Sequence, residues 1–158
     1  VSYSQIMRPS DRAPASLLSQ DPRSVVVCVH LSKKLPDIEH VADLAHELVH
    51  AVRLPEQALK GEGMDSESFV KARIAEDGGE ADAFAVECKV KKELLGHWDS
   101  FCAPYALNNH AIDQERIVSD LYSGNLSASL TGEPYPIMLA KQFRRMNEKR
   151  ALNAILKD

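Results

Sequence analysis

The spacing of apolar residues changes abruptly near position 31. Val25-Val26-Val27-Cys28-Val29-His30-Leu31 is a β-branched run bounded by polar residues, which predicts a strand. Ser32 to Pro36 reads as a turn. From Asp37 the spacing becomes helical. Ile38, Val41, Ala45, Leu48 and Val52 fall on one stripe, with Leu44 and Val49 beside it. Asp37 is suited to cap this helix and Pro55 to stop it.

Residues 55–75 carry Gly61 and Gly63 among polar and acidic residues, the composition of a mobile loop or short helix. A second helical pattern follows Gly78-Gly79, with Ala81, Phe84, Ala85, Cys88 and Leu95 as its apolar set and Gly96 as its end. Residues 97–111 lack periodicity. A helix is expected from about Asp113 to Tyr122, ending at Gly124, and a last one from about Pro136 to Leu156 with Ile137, Phe143, Leu152 and Ile155 inward. Its Lys141, Arg144, Arg145, Lys149 and Arg150 read as a solvated face. Residues 1–24, rich in Ser, Pro, Asp and Arg, read as a loosely ordered lead-in. No internal repeat or linker divides the chain, so residues 1–158 are expected to form one domain.

At 158 residues such a domain buries a sizeable core without staples. A net charge of −4 argues against nucleic acid as the main partner. No apolar run is long enough to span a membrane, and the N-terminus lacks the layout of a secretory signal. Neither a cytoplasmic nor a secreted location is selected. The three cysteines, Cys28, Cys88 and Cys102, include no Cys-x-x-Cys pair and read as thiols, with a mild preference for a reducing compartment.

Chemistry concentrates in His46-Glu47-Leu48-Val49-His50. Histidines four apart on a helix project from one face, one turn apart, where a single tetrahedral Zn²⁺ can take both imidazoles. Glu47 flanks the metal, positioned to take a proton from a zinc-activated water. With this chain's composition the pattern arises by chance only about 0.02 times. The plainer reading, two surface histidines, sits poorly with their neighbours Leu44, Ala45, Val49 and Ala51, because polar groups beside an apolar stripe need partners.

The elongated form of the motif is absent, since Arg53 and Glu56 stand at its further offsets, so a third ligand must come from elsewhere. Glu80 opens the second helix among small residues that would allow close packing on the first. It also fits a capping box with Asp77, in which it would merely satisfy a backbone N–H. Glu76 is the alternative ligand, and Glu87, two turns after Glu80, reads as a supporting or surface residue.

These residues resemble the gluzincin zinc metallopeptidases, in which His-Glu-x-x-His on one helix is completed by a Glu on the next. The resemblance covers roughly residues 25–95 and points to the minimal single-domain forms, including the repressor-cleaving and stress-response peptidases of bacteria. Ala81-Asp82-Ala83-Phe84-Ala85 is also similar to a string in membrane CAAX-type peptidases, whose ligand Glu stands three residues before the Ala-Asp pair, where this chain has Gly78. Thermolysin-like enzymes instead open the motif with Glu-Ala, as Glu80-Ala81 does. The fold implied is α+β: a small zincin-like domain with a short sheet, an edge strand over the active-site helix and a helix-rich C-terminal half. Strand 25–31 would then pair with an extended peptide substrate.

Zinc-bound imidazoles donate their second N–H to a partner. Asp43 and Asp82 are candidates. For stabilising an oxyanion the candidates are Tyr105, His110, Tyr122 and Tyr135, with His110 preferred. The resulting expectation is a zinc-dependent endopeptidase with His46, His50 and Glu80 as ligands and Glu47 as general base, acting on a protein or peptide as a selective regulatory or effector protease. Two other classes compete with it. One is a catalytically silent zinc-binding interaction module, which intact Glu47 disfavours; the other is a metal-free helical interaction domain.

Overall fold

The computed structural model describes the backbone of residues 3–7, 26–31, 36–60, 64–127 and 132–155. Two short strands, β1 (Tyr3–Met7) and β2 (Val26–His30), precede five α-helices. These are α1 (Asp37–Lys60), α2 (Ser66–Ala75), α3 (Glu80–Leu95), α4 (Gln114–Ser123) and α5 (Tyr135–Ile155), with a 3₁₀ turn at Ala103–Tyr105 between α3 and α4.

The expected zincin-like α+β fold is not what forms. Helices dominate, and strand pairing among the described residues is limited to one antiparallel ribbon, with Tyr3 opposite His30 and Met7 opposite Val26, and two isolated bridges. In place of the strand expected at 25–31, β2 (Val26–His30) is half of a ribbon and not the edge of a layer over a cleft. The reason is size: a ribbon of two five-residue strands is too small to make a layer, so the core is helix on helix. It comprises Phe69, Val70 and Ile74 of α2, Ala81 and Ala85 of α3, Ile117 and Leu121 of α4, Tyr135 and Leu139 of α5, and Tyr105 and Leu126. Of the lead-in 1–24, only Tyr3–Met7 lies within the described residues.

Local signals set most helix ends. Asp65 Oδ1 accepts from Ser68 N at 2.8 Å and starts α2. Asp113 Oδ1 accepts from Arg116 N at 3.0 Å and starts α4. Gly96 and Gly124 end α3 and α4 at φ of 78° and 83°, a left-handed conformation that disfavours other residues. Two expected limits of α1 change. Asp37 lies inside the first turn, where His40 N reaches Pro36 O at 2.9 Å. Pro55 removes one donor without stopping the helix, which runs on to Lys60.

Two faces also differ from expectation. Along α1, Ile38, Val41, Leu48 and Val52 are exposed, Val52 by 74%. On α5, Ile137 and Leu152 are exposed, while Tyr135, Leu139, Phe143 and Met146 form the inward stripe at spacings of three and four. Ile155 lies outside the described side chains. Lys141, Arg144, Arg145 and Lys149 are exposed, as a solvated face requires.

Cys88 and Cys102 form a disulfide between α3 and the loop that follows it, in place of the two expected thiols. Their Cα atoms are 5.5 Å apart, well inside bridging reach. Their 14-residue separation crosses a helix end, so helical spacing did not reveal the proximity. The disulfide removes the ground for preferring a reducing compartment. No described helix is long and apolar enough to cross a membrane.

Candidate metal centre

The centre is built where α1 packs on α3. Small residues allow the approach: Ala42 on α1 and Ala83 on α3 are fully buried. The turn between α2 and α3 sets the start of α3. Gly78 takes φ of 77°. A Cβ on Gly79 would lie 2.8 Å from the carbonyl oxygens of both Arg73 and Glu76, so no side chain fits there. Gly79, not Asp77, is the N-cap of α3, and it leaves the Glu80 side chain outside any capping role.

Glu80 instead turns toward α1. Its Oε2 lies 3.6 Å from His46 Nε2 and its Oε1 3.5 Å from His50 Nε2. All three groups are buried, and one ligand atom from each lies within 4.8 Å of the others. Donors bound at about 2.0–2.1 Å to one tetrahedral ion stand roughly 3.3–3.4 Å apart, so these separations suit a small cation. Two neutral imidazoles and a carboxylate are the donor set for such an ion.

Each imidazole is held from behind. His46 Nδ1 is 3.0 Å from Glu87 Oε2, and His50 Nδ1 is 2.9 Å from the Gly78 carbonyl oxygen. With Nδ1–H donating in both, both Nε2 lone pairs point at the shared centre. Without a metal the charges settle differently. Burial disfavours an imidazolium at His46, but the hydrogen bonds and charges of Glu80 and Glu87 outweigh it and hold the pKa up to about 10. Burial likewise disfavours the Glu80 carboxylate, yet His46 and His50 hold it well below the usual range.

Glu47 is buried beside His46. Tyr135 belongs to the same neighbourhood. Burial raises its phenol far above the ordinary range, and the charges of Glu80, Glu87 and Glu47 add to the effect. Phe84 forms the wall, edge-on to His46 at 5.1 Å and to Tyr135 at 6.1 Å between ring centroids.

Other anticipated residues lie elsewhere or act differently. Asp82 does not meet an imidazole. It accepts from Gly78 N at 2.7 Å and from Gln114 Nε2, bracing the turn whose carbonyl holds His50. Asp43 is half-buried on α1, and the His46 Nδ1 position proposed for it belongs to Glu87. Glu76 caps the end of α2 with an exposed side chain and is not in the cluster. His110 is exposed in the 107–111 loop, its backbone tied to Asn108. Tyr105 donates to Asp120 at 2.9 Å, and Tyr122 is 40% exposed.

Lys91, which was not among the expected site residues, is buried and lies 2.9 Å from Glu87 Oε1. The signal was available: Glu80, Glu87 and Lys91 follow at seven and four residues on one helix face. The carbonyl of Gly78 carries no such signal, because every residue has one. Comparison of the chain with protein-family models, with curated proteins and with solved structures finds no match.

Proposed function

We propose that this protein is a zinc-dependent peptidase of the His-Glu-x-x-His type, with His46, His50 and Glu80 as metal ligands and Glu47 as general base. One observation carries the reading: two buried imidazoles, each anchored through Nδ1, converge on a buried carboxylate whose oxygens lie 3.6 and 3.5 Å from their Nε2 atoms, while Glu47 stands buried alongside. Nitrogen and oxygen donors favour zinc among the common ions. Among the described residues there are three protein ligands, where a structural zinc takes four, which leaves a position for chemistry.

Bound zinc would supply Lewis acidity toward a water and a peptide carbonyl. The chain's own residues supply the remainder. Glu47 takes the proton from the attacking water and returns it to the leaving amine. Tyr135 keeps its proton near neutral pH and is the donor best supported for the developing oxyanion, in place of His110. The substrate is a protein or peptide.

A mixed peptide library, read by mass spectrometry, tests the reading alongside metal content. Wild type should carry one zinc and cleave. Chelated protein should fall silent and recover with zinc, and Glu47→Gln should keep zinc without cleaving. Identical digests from wild type and Glu47→Gln, with zinc bound in both, would leave a silent zinc-binding module. No zinc after reconstitution would remove the reading altogether.

A further inference from the structure

Lys91 is 5% exposed, a rare place for a lysine. Three carboxylates from three parts of the fold surround its Nζ: Glu39 of α1 at 2.8 Å, Glu87 of α3 at 2.9 Å, and Asp99 of the following loop at 3.9 Å. The Phe101 ring centroid lies 5.5 Å away. The loop bearing Asp99 and Phe101 is fastened to α3 by the Cys88–Cys102 disulfide, and Asp99 Oδ1 is itself held by Cys102 N at 2.7 Å. A buried ammonium is costly unless paired, and a surface pairing would carry no such cost.

The informative contact is Glu87. Its Oε1 meets Lys91 while its Oε2 meets His46 Nδ1, so each oxygen has a separate partner. A carboxylate held at one oxygen still rotates about its terminal bond; held at both, it does not. We propose that Lys91 is a positioning residue of the metal centre, gripping Glu87 so that Glu87 fixes the ring of His46 and presents Nε2 to the metal. The proposal rests on the zinc reading of His46, His50 and Glu80. Glu39 and Asp99 anchor the ammonium from other elements, so it cannot follow a swinging Glu87. His50 is held by a backbone carbonyl and needs no such chain, so Lys91 acts on one ligand only.

Zinc affinity of the full chain, measured by competition with a chromogenic chelator, tests this without reference to turnover. Lys91→Met should weaken zinc by about tenfold, the lower end of the range for outer partners of a ligand. Lys91→Arg, which keeps charge and donors, should restore most of it. Glu87→Gln should weaken zinc as well, and adding Lys91→Met to it should cost nothing further, because the grip then has nothing to act through. Multiplied losses in the double variant, or wild-type affinity in Lys91→Met, would overturn the proposal. If Lys91→Met does not fold, Lys91→Gln carries the same cycle. A wild type that takes up no zinc removes the underlying reading too, whereas a zinc-binding wild type beside an unaffected Lys91→Met removes this proposal alone.

Discussion

The two faces of α1 reverse the usual layout of an amphipathic helix. Toward α3 it buries Ala42, His46, Glu47 and His50; on the opposite side Val41, Leu44, Leu48 and Val52 are each a third or more exposed. Burying one large apolar side chain is worth about 1.5–3 kcal/mol, whereas burying an unpaired polar group costs a similar amount. Stability alone would therefore turn the apolar side in. The polar side is tolerable there because both nitrogens of each imidazole face a partner. Such a violation of the hydrophobic rule, fully compensated by pairing, is where function is to be sought.

The buried polar face is tested most severely by Glu47→Gln. Cleavage should fall by about 10²–10⁴-fold with zinc content unchanged, and a retained rate would show that the buried face does no acid–base work. His46→Ala and Glu80→Gln come next. Each should weaken zinc by more than about 100-fold, exceeding the effect of losing an outer partner, while Glu76→Ala leaves it intact. Equal zinc in all three would separate the polar face from any metal.

Gly79→Ala should cost about 2–3 kcal/mol in urea unfolding, because its Cβ meets two carbonyl oxygens at 2.8 Å. Unchanged stability would show that the turn before Glu80 yields easily.

The metal-free centre should also respond to pH. His46 holds its proton up to about 10, and zinc needs the neutral ring. Zinc affinity should therefore rise with pH by up to about tenfold per unit across the neutral range and level off above that pKa. Calorimetry in buffers of different ionisation enthalpy would count the released proton, and a flat profile would contradict the charge on His46. The smallest effect belongs to the outer face: Val52→Lys should change stability by less than about 0.5 kcal/mol and leave zinc affinity alone. A large loss there would mean that this face is covered in solution.

What could be read in the sequence was what short-range periodicity encodes. His46 and His50 share a face because four residues make about one turn, and Gly96 and Gly124 stop their helices because only glycine adopts that conformation cheaply. Glu80 was legible as one of two acids near a helix start, whereas Asp82, expected to meet an imidazole, braces the Gly78 turn instead. Tertiary structure decided the rest. It chose which side of α1 faces inward, since periodicity finds a stripe without saying what covers it. It limited the strand at 26–30 to a ribbon because, among the described residues, it pairs with one short partner. It brought Glu87 to His46 across 41 residues and the Gly78 carbonyl to His50 across 28, and it joined Cys88 to Cys102 past a helix end. Contacts between elements depend on how helices dock, and docking is set by the shape of whole faces, which no local spacing records.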